Sequence, residues 1–463
     1  MRDHQIRSYA PRGSRRFVRR FVSARVVSSE KIVYRVGMCK AILAVLGVVM
    51  MSVVSGGRAE PGNPAPPHRS RLFALDTPGG PLPFRISVQR SDDGPPVVRV
   101  INGPEVLTPR VVEYPRDGSG RYVVRFGGFG SELEWRETSG GITGEWRTRR
   151  RGGTVAVPLT PASGRPGGGP LFDLPVEKPR VAPGRYRVDF SSSDEPAVGE
   201  FKITPDGAAS GTFLTTTGDY RYLTGNCSGG TLRLSCFDGA HAFLFHAALQ
   251  PDGTLAGDFW SGSWWHETWT ATPDPDARLP DPFAQTHATG TGADLESLIF
   301  RDLDGNPTPV SRIAPPGTPR LVVIFGSWCP NCHDETRLLT RLHKKYAPRG
   351  LRIAGLAFEH EKDFESAAAR VREYAADLGV EYPLLIAGLS RKEKASEILP
   401  VLDRVRSYPT TLFIDADGEI EAVYTGFSGP ATGDAYSELR RSFIAHIESM
   451  LKPGPGPGGG ADD

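Results

Sequence analysis

Cysteine is scarce, with five among 463 residues, and methionine is equally rare. So few cysteines exclude a disulfide-dense scaffold and put the burden of stability on apolar cores. No apolar run reaches the ~20 residues that a spanning helix needs. Charge of one sign is also missing: the chain carries 55 Lys+Arg against 53 Asp+Glu. That near balance hides a basic head, because residues 1–60 hold 12 Lys+Arg and 3 Asp+Glu, leaving 43 against 50 for the rest. A mildly acidic body offers no patch for nucleic acid, so no nucleic-acid partner is expected.

Glycine and proline, by contrast, are abundant at 54 and 41. With only 39% hydrophobic residues they point to turn-rich β structure and long linkers. The length suggests two or three domains.

The basic head leads into Ala41–Ser55, uncharged and mostly apolar for 15 residues. This length suits a signal-peptide core, and Gly57 and Ala59 fit a small-x-small cleavage pattern, placing the cut after Ala59. The alternative is an uncleaved tether in the membrane, and Met38 offers a second start. Either way the expected location is the cell envelope, periplasmic or extracytoplasmic, with or without an inner-membrane anchor.

The expected organisation is a targeting segment over 1–59, a Pro-rich linker over 60–70, an all-β domain over 71–272 and a second linker over 273–283. An α/β domain over 284–451 and a disordered tail over 452–463 follow. Within 71–272, short period-two runs such as "VVRVI", "RYVVRF" and "AFLFHAAL" alternate with glycine turns, the signature of a barrel- or sandwich-like meander. G-x-x-x-G-x-aromatic recurs at Gly140–Trp146, Gly207–Phe213 and Gly253–Phe259, suggesting two related meanders split near Pro161–Pro170. Beyond residue 284 strands alternate with helical stripes, for example Leu338, Leu339, Leu342 and Tyr346 after the buried strand "RLVVIF".

The chemistry-bearing motif is "FGSWCPNCHDE", Phe325–Glu335. Tetrahedral zinc needs four ligands, and one C-x-x-C without a second pair in the same domain leaves it short, so no metal is expected. As a staple the pair would close a tiny loop and remove little unfolded-state entropy. As an exchange pair it is well placed: it follows a strand and opens a helix, where Pro330 loses no needed donor. The helix dipole and free N–H groups there favour the thiolate of Cys329, while Cys332, one turn inward, is the shielded resolving thiol.

"SWCPNC" on a strand-to-helix turn, together with "SYPTTLFID" at Ser407–Asp415, resembles the thioredoxin superfamily. The closest likeness is to TlpA- and ResA-type thiol-disulfide oxidoreductases within the redoxin, AhpC/TSA grouping, over about Asp281–Leu451. The resemblance implies a thioredoxin-like fold and a redox-active Cys329–Cys332 disulfide with no other cofactor. It implies a cis Pro409 preceded by Tyr408 against the sulfurs, with Trp328 beside them, as substrate-contacting residues. It also implies a proton-handling acid at Glu335, for which Asp334 competes. Pro330 and Asn331 would tune the potential and so the direction of electron flow. The implied partners are client proteins with disulfides or thiols, and an upstream thiol electron donor. A peroxiredoxin-like antioxidant is an alternative, but its T-x-x-C pattern would need threonine at position 326, which is glycine.

For the β domain, the tryptophan-rich "DFWSGSWWHETWT" fills a core or lines a ligand site, with alternation placing Trp265 and Trp269 on one face. A second reading of the whole chain is therefore a binding module in which this domain recognises a ligand or envelope partner. His241, His246 and His266 are read as structural. "NCSGGTLRLSC" reads as a hairpin in which Cys227 opposes Leu232; that leaves Cys236 roughly 13 Å along the strand, too far for a disulfide unless the strands diverge.

Overall fold

The structure, a computed structural model, describes residues 70–452 apart from 93, 117–119, 140, 151, 161 and 163–168. All of these belong to one compact unit, Pro61–Asp463. The targeting segment, most of the first linker, Gly140 and the tail beyond Lys452 lie outside the described residues. Among the described residues no helix is long and apolar enough to cross a membrane.

The glycine spacing read from the sequence has a steric cause. Gly207 and Gly253 both adopt φ +86°, the left-handed region in which a side chain is disfavoured. Four residues on, a Cβ at Gly211 would lie 2.2 Å from the Glu200 carbonyl oxygen, and one at Gly257 1.8 Å from that of His246. The first glycine makes the turn and the second lets neighbouring backbones cross closely. The aromatic residue two positions later, Phe213 or Phe259, then enters the core.

Two nine-stranded sheets result. In the first, Ser70–Thr77 pairs with Gly80–Gln89 and with Gly153–Thr160, so the strands run as two hairpin series from a shared centre and form an open half-barrel. In the second, Ala197–Ile203 pairs with both Gly184–Phe190 and Ala208–Thr215, which closes eight strands into a barrel. Closure removes the exposed edges that an open sheet would present. The barrel core is aromatic, with Phe213, Phe245, Phe259 and Trp269 in mutual contact. The half-barrel seats on the barrel's outer wall, where Phe84 meets Phe237 at 4.4 Å. Asn102 there donates to and accepts from the Phe237 backbone, 2.9 and 3.2 Å.

Cys227 pairs in register with Leu232, and both Cys227 and Cys236 are free, buried thiols. The three barrel histidines do not converge. His241 faces Asp238 at 3.2 Å, His266 faces Asp258 at 2.8 Å, and His246 packs against Phe172 and Trp260.

The C-terminal domain is thioredoxin-like. Its seven-stranded mixed sheet has three parallel strands at its heart, Arg320–Phe325, Arg352–Glu359 and Leu384–Leu389. Thr410–Ile414 and Ile420–Thr425 extend it antiparallel on one side, and Ile299–Asp302 on the other. Helices Pro330–Tyr346, Phe364–Leu378 and Asp434–Met450 bury Leu338, Leu339, Val371, Tyr374, Phe443 and Ile447 in the same core as the sheet. Asp363 caps the second of these by accepting from the Ser366 N–H, and Gly379 ends it in the left-handed conformation.

Candidate active site

The apolar strand Arg320–Phe325 is wholly buried and delivers the chain to Cys329, the N-cap of the helix Pro330–Tyr346. The Cys329 sulfur accepts from the Cys332 N–H at 3.3 Å. A backbone donor at the positive end of a helix stabilises negative charge on that sulfur. Cys329 is 6% exposed and Cys332 fully buried. Burial, and Cys329 next to it, push the Cys332 thiol well above its ordinary range.

The Tyr408–Pro409 peptide bond is cis. It turns the Tyr408 carbonyl toward the pair, 3.4 Å from the Cys329 sulfur. Trp328 donates its indole N–H to the Phe358 carbonyl at 2.9 Å and stacks on His360 at 4.4 Å. Thus Cys329, Cys332, Trp328, Tyr408 and Pro409 come together, with Pro330 and Asn331 forming the first helical turn.

The two acids after Cys332 separate by partner. Asp334 is engaged by Arg221 of the barrel and by Arg337 at 2.8 Å. Glu335 points inward and is fully buried, with one oxygen accepting from the Thr411 hydroxyl at 2.8 Å and the other, Oε2, without a hydrogen-bond partner among the described residues. Burial raises its carboxyl to about 8, against an ordinary 4.5, and its charge is felt at Cys332. A carboxyl that titrates near neutral pH, three residues from a buried thiol on one helix, is suited to exchanging a proton with it.

Three further groups bear on the site. Glu359, at the end of its strand, accepts from the Ser327 N–H at 2.8 Å and hydroxyl at 2.7 Å, pinning the loop that carries the sulfurs. Burial pushes it up to about 7. His333 stacks on Phe129 of the half-barrel at 4.0 Å and hydrogen-bonds the Ser327 carbonyl at 2.7 Å, and burial lowers it to about 3. Arg221 is the most consequential. It is 4% exposed and is the only non-glycine residue with positive φ among the described residues.

Around Arg221 lie Glu105 of the half-barrel at 2.5 Å, Asp238 of the barrel at 3.5 Å, and Asp334 of the active-site helix. Burial works against its charge, but these carboxylates and Asp219 raise it well above its usual value. Asp219 accepts from the Gly429 N–H at 2.6 Å, and burial lifts its carboxyl to about 6. One guanidinium therefore ties both β sheets to the helix that bears the cysteines.

Known proteins resemble the stretch of chain that carries this site. Residues 291–423 match the AhpC/TSA family. "Thiol-disulfide oxidoreductase ResA" of Geobacillus kaustophilus is 24% identical over 144 residues, 31% of this chain and 74% of that protein. "Thiol:disulfide interchange protein DsbE" of Haemophilus influenzae is 29% identical over 135 residues, 29% of this chain and 66% of that protein. A thioredoxin-family thiol:disulfide interchange protein of Chlorobium tepidum aligns structurally over 36% of this chain and 99% of its own, at 19% identity and a TM-score of 0.26. The C-terminal third of this chain is thus an AhpC/TSA-type redoxin domain with thiol-disulfide oxidoreductases of the ResA and DsbE type among its homologues.

Proposed function

We propose that this protein is an exported thiol-disulfide oxidoreductase that reduces disulfides of client proteins by dithiol-disulfide exchange. The observation that carries this reading is the Cys329 sulfur at a helix N-cap, facing the carbonyl before a cis proline, with a fully buried second thiol one turn behind it. Cys329 thiolate attacks a client disulfide; a Cys329–client bond forms and the client's other sulfur leaves as thiolate. Cys332 then gives its proton to Glu335 and attacks Cys329, releasing the client's second thiolate and leaving a Cys329–Cys332 disulfide. Two electrons pass from the dithiol to the client, and an upstream thiol donor restores the pair. Trp328 and, through the backbone beside Cys329, the buried Tyr408 and Pro409 are the client-contacting residues, and Pro330 and Asn331 set the potential. Export rests on the sequence of the targeting segment, with a membrane tether as its alternative form.

The test is a single turnover. Mixing the reduced protein, freed of reductant, with a small model disulfide will consume the thiols of Cys329 and Cys332 and yield an internal disulfide between them on peptide mapping. Unchanged thiols at both positions would refute the reading.

Glu335→Gln gives a second test, with two signatures. Below about pH 8 Glu335 holds its proton; above it the carboxylate accepts the Cys332 proton, so turnover rises through about pH 8. The variant will lose roughly 10²-fold at pH 8 and lack that inflection. For stability the sign is opposite. A folded pKa raised from 4.5 to about 8 means that the native state binds more protons than the unfolded state between those values. This group's contribution to stability therefore falls as pH rises across that window. Glu335→Gln will raise the thermal midpoint at pH 8 and change it little near pH 4.

A further inference from the structure

The barrel stands in front of the cysteines. A cavity of about 790 Å³ has the barrel mouth as one wall and Trp328, Cys329, Pro330, Asn331 and His360 as the other. The barrel wall is aromatic, with Phe243, Phe259, Trp264 and Trp265 lining it and Arg150 stacked on Trp264 at 4.3 Å. Trp265 is 48% exposed, one of few large apolar side chains left open to solvent. Its indole N–H is held by Glu267 at 3.0 Å, which keeps the ring on the cavity wall.

The barrel loop Thr215–Asp219 fences the other side of the site. The Ser407 hydroxyl, next to Tyr408, donates to the Thr217 carbonyl at 3.0 Å, and a Cβ at Gly218 would sit 1.7 Å from the Asn331 side chain. The loop therefore lies directly on the cis-proline segment and on the first turn of the active-site helix. Cys329, itself 6% exposed, lines this aromatic cavity. A volume of this order encloses a few side chains and is far too small for a folded domain.

From this geometry we infer that the barrel is a substrate filter: the disulfide that reacts with Cys329 is presented on a short, extended polypeptide segment with aromatic or aliphatic side chains beside the cysteine, which pack against the barrel wall. The inference rests on the exchange reading above and names its substrate class. Clients with a cystine in an unfolded stretch are selected, and those with the bond set in a rigid surface are rejected.

The experiment uses the full chain in its reduced form and three kinds of substrate. The first is a pair of short peptides, one with a Phe-Cys-Phe core and one with a Gly-Cys-Gly core, each carrying a nitrothiobenzoate mixed disulfide as chromophore. The second is the free bis-nitrobenzoate disulfide. The third is a disulfide-bonded domain compared with a destabilised variant of it that is unfolded in the same buffer. The aromatic peptide is expected to exceed the glycine peptide by about tenfold in the second-order rate constant for the single turnover of the dithiol, of the size that stacked aromatic contacts and apolar burial supply. The unfolded client should exceed the folded one by a similar factor. Trp265→Ala, a change at a half-exposed position outside the barrel core, should cut the aromatic preference at least about threefold. Equal rates for the two peptides, equal rates for folded and unfolded clients, or an undiminished preference in the variant would overturn the filter. Acceleration confined to the free aromatic disulfide would also overturn it and assign the cavity to small molecules. Failure of the exchange reading looks different: no substrate, the free disulfide included, would then be reduced.

Discussion

Replacing Arg221 with methionine will lower the unfolding free energy by about 3–5 kcal/mol, the cost of stranding buried charges when one partner of a buried ion pair is removed. Glu105, Asp238 and Asp334 are each no more than 9% exposed and all lie within 3.5 Å of the guanidinium. Methionine approximates the aliphatic stem and leaves those carboxylates facing one another in low dielectric. Glu105, which burial already pushes above its usual range and Arg221 pulls back down, will respond by holding its proton, so the loss will grow as pH rises and be partly recovered in acid. The sign follows from the native state gaining proton affinity relative to the unfolded one, which makes stability of the variant fall as pH rises. Because the cluster joins the half-barrel, the barrel and the Cys332 helix, proteolysis should also free the C-terminal domain faster than in the parent. A denaturation shift below about 1 kcal/mol at pH 8 would show that the cluster is not an interdomain tie. Double substitution of Arg221 and Asp334, compared with each single change, measures their coupling directly.

The second large effect concerns the cysteines. Cys329→Ser will reduce turnover by at least about 10³-fold, because a serine hydroxyl at that position is not ionised and Cys332, fully buried, has no path to a substrate. Cys332→Ser will lose turnover to the same degree by a different route: the first attack proceeds and the second cannot. Steady-state rates will therefore be alike, whereas the species that accumulate will differ. Cys227→Ser and Cys236→Ser should leave turnover near the parent value, since both sulfurs lie in the barrel core away from the exchange pair.

Local sequence carried much of this site, for physical reasons. A buried β-branched strand, a two-residue spacing between thiols and a proline at the first helical position all act within a few residues, so "RLVVIFGSWCPNC" reads directly as strand, turn and helix. The alternation and glycine spacing of the β region likewise disclosed strands, since period two and φ +86° turns are local properties. Closure of the barrel was not legible. It depends on Ala197–Ile203 finding partners on both sides, a choice among many compatible edges.

Long-range charge was hidden for the same reason. Arg221 and Asp334 are 113 positions apart, and nothing near either residue marks the other. That pair also resolves which acid points inward. From sequence Asp334 and Glu335 compete as neighbours. In the fold, the barrel arginine occupies Asp334 and leaves Glu335 to the interior beside Thr411. Glu359 escaped notice similarly, because its partner Ser327 is 32 residues away on the adjoining strand's exit loop.

The most direct test of the exchange mechanism is to challenge the reduced Cys332→Ser protein with a disulfide-bearing client and map the adduct by mass spectrometry. A stable mixed disulfide on Cys329, released on adding dithiothreitol and absent in Cys329→Ser, is the expected result. An adduct on Cys227 or Cys236 in its place, or no adduct while the Cys332→Ser protein still turns over, would contradict the roles assigned to the pair.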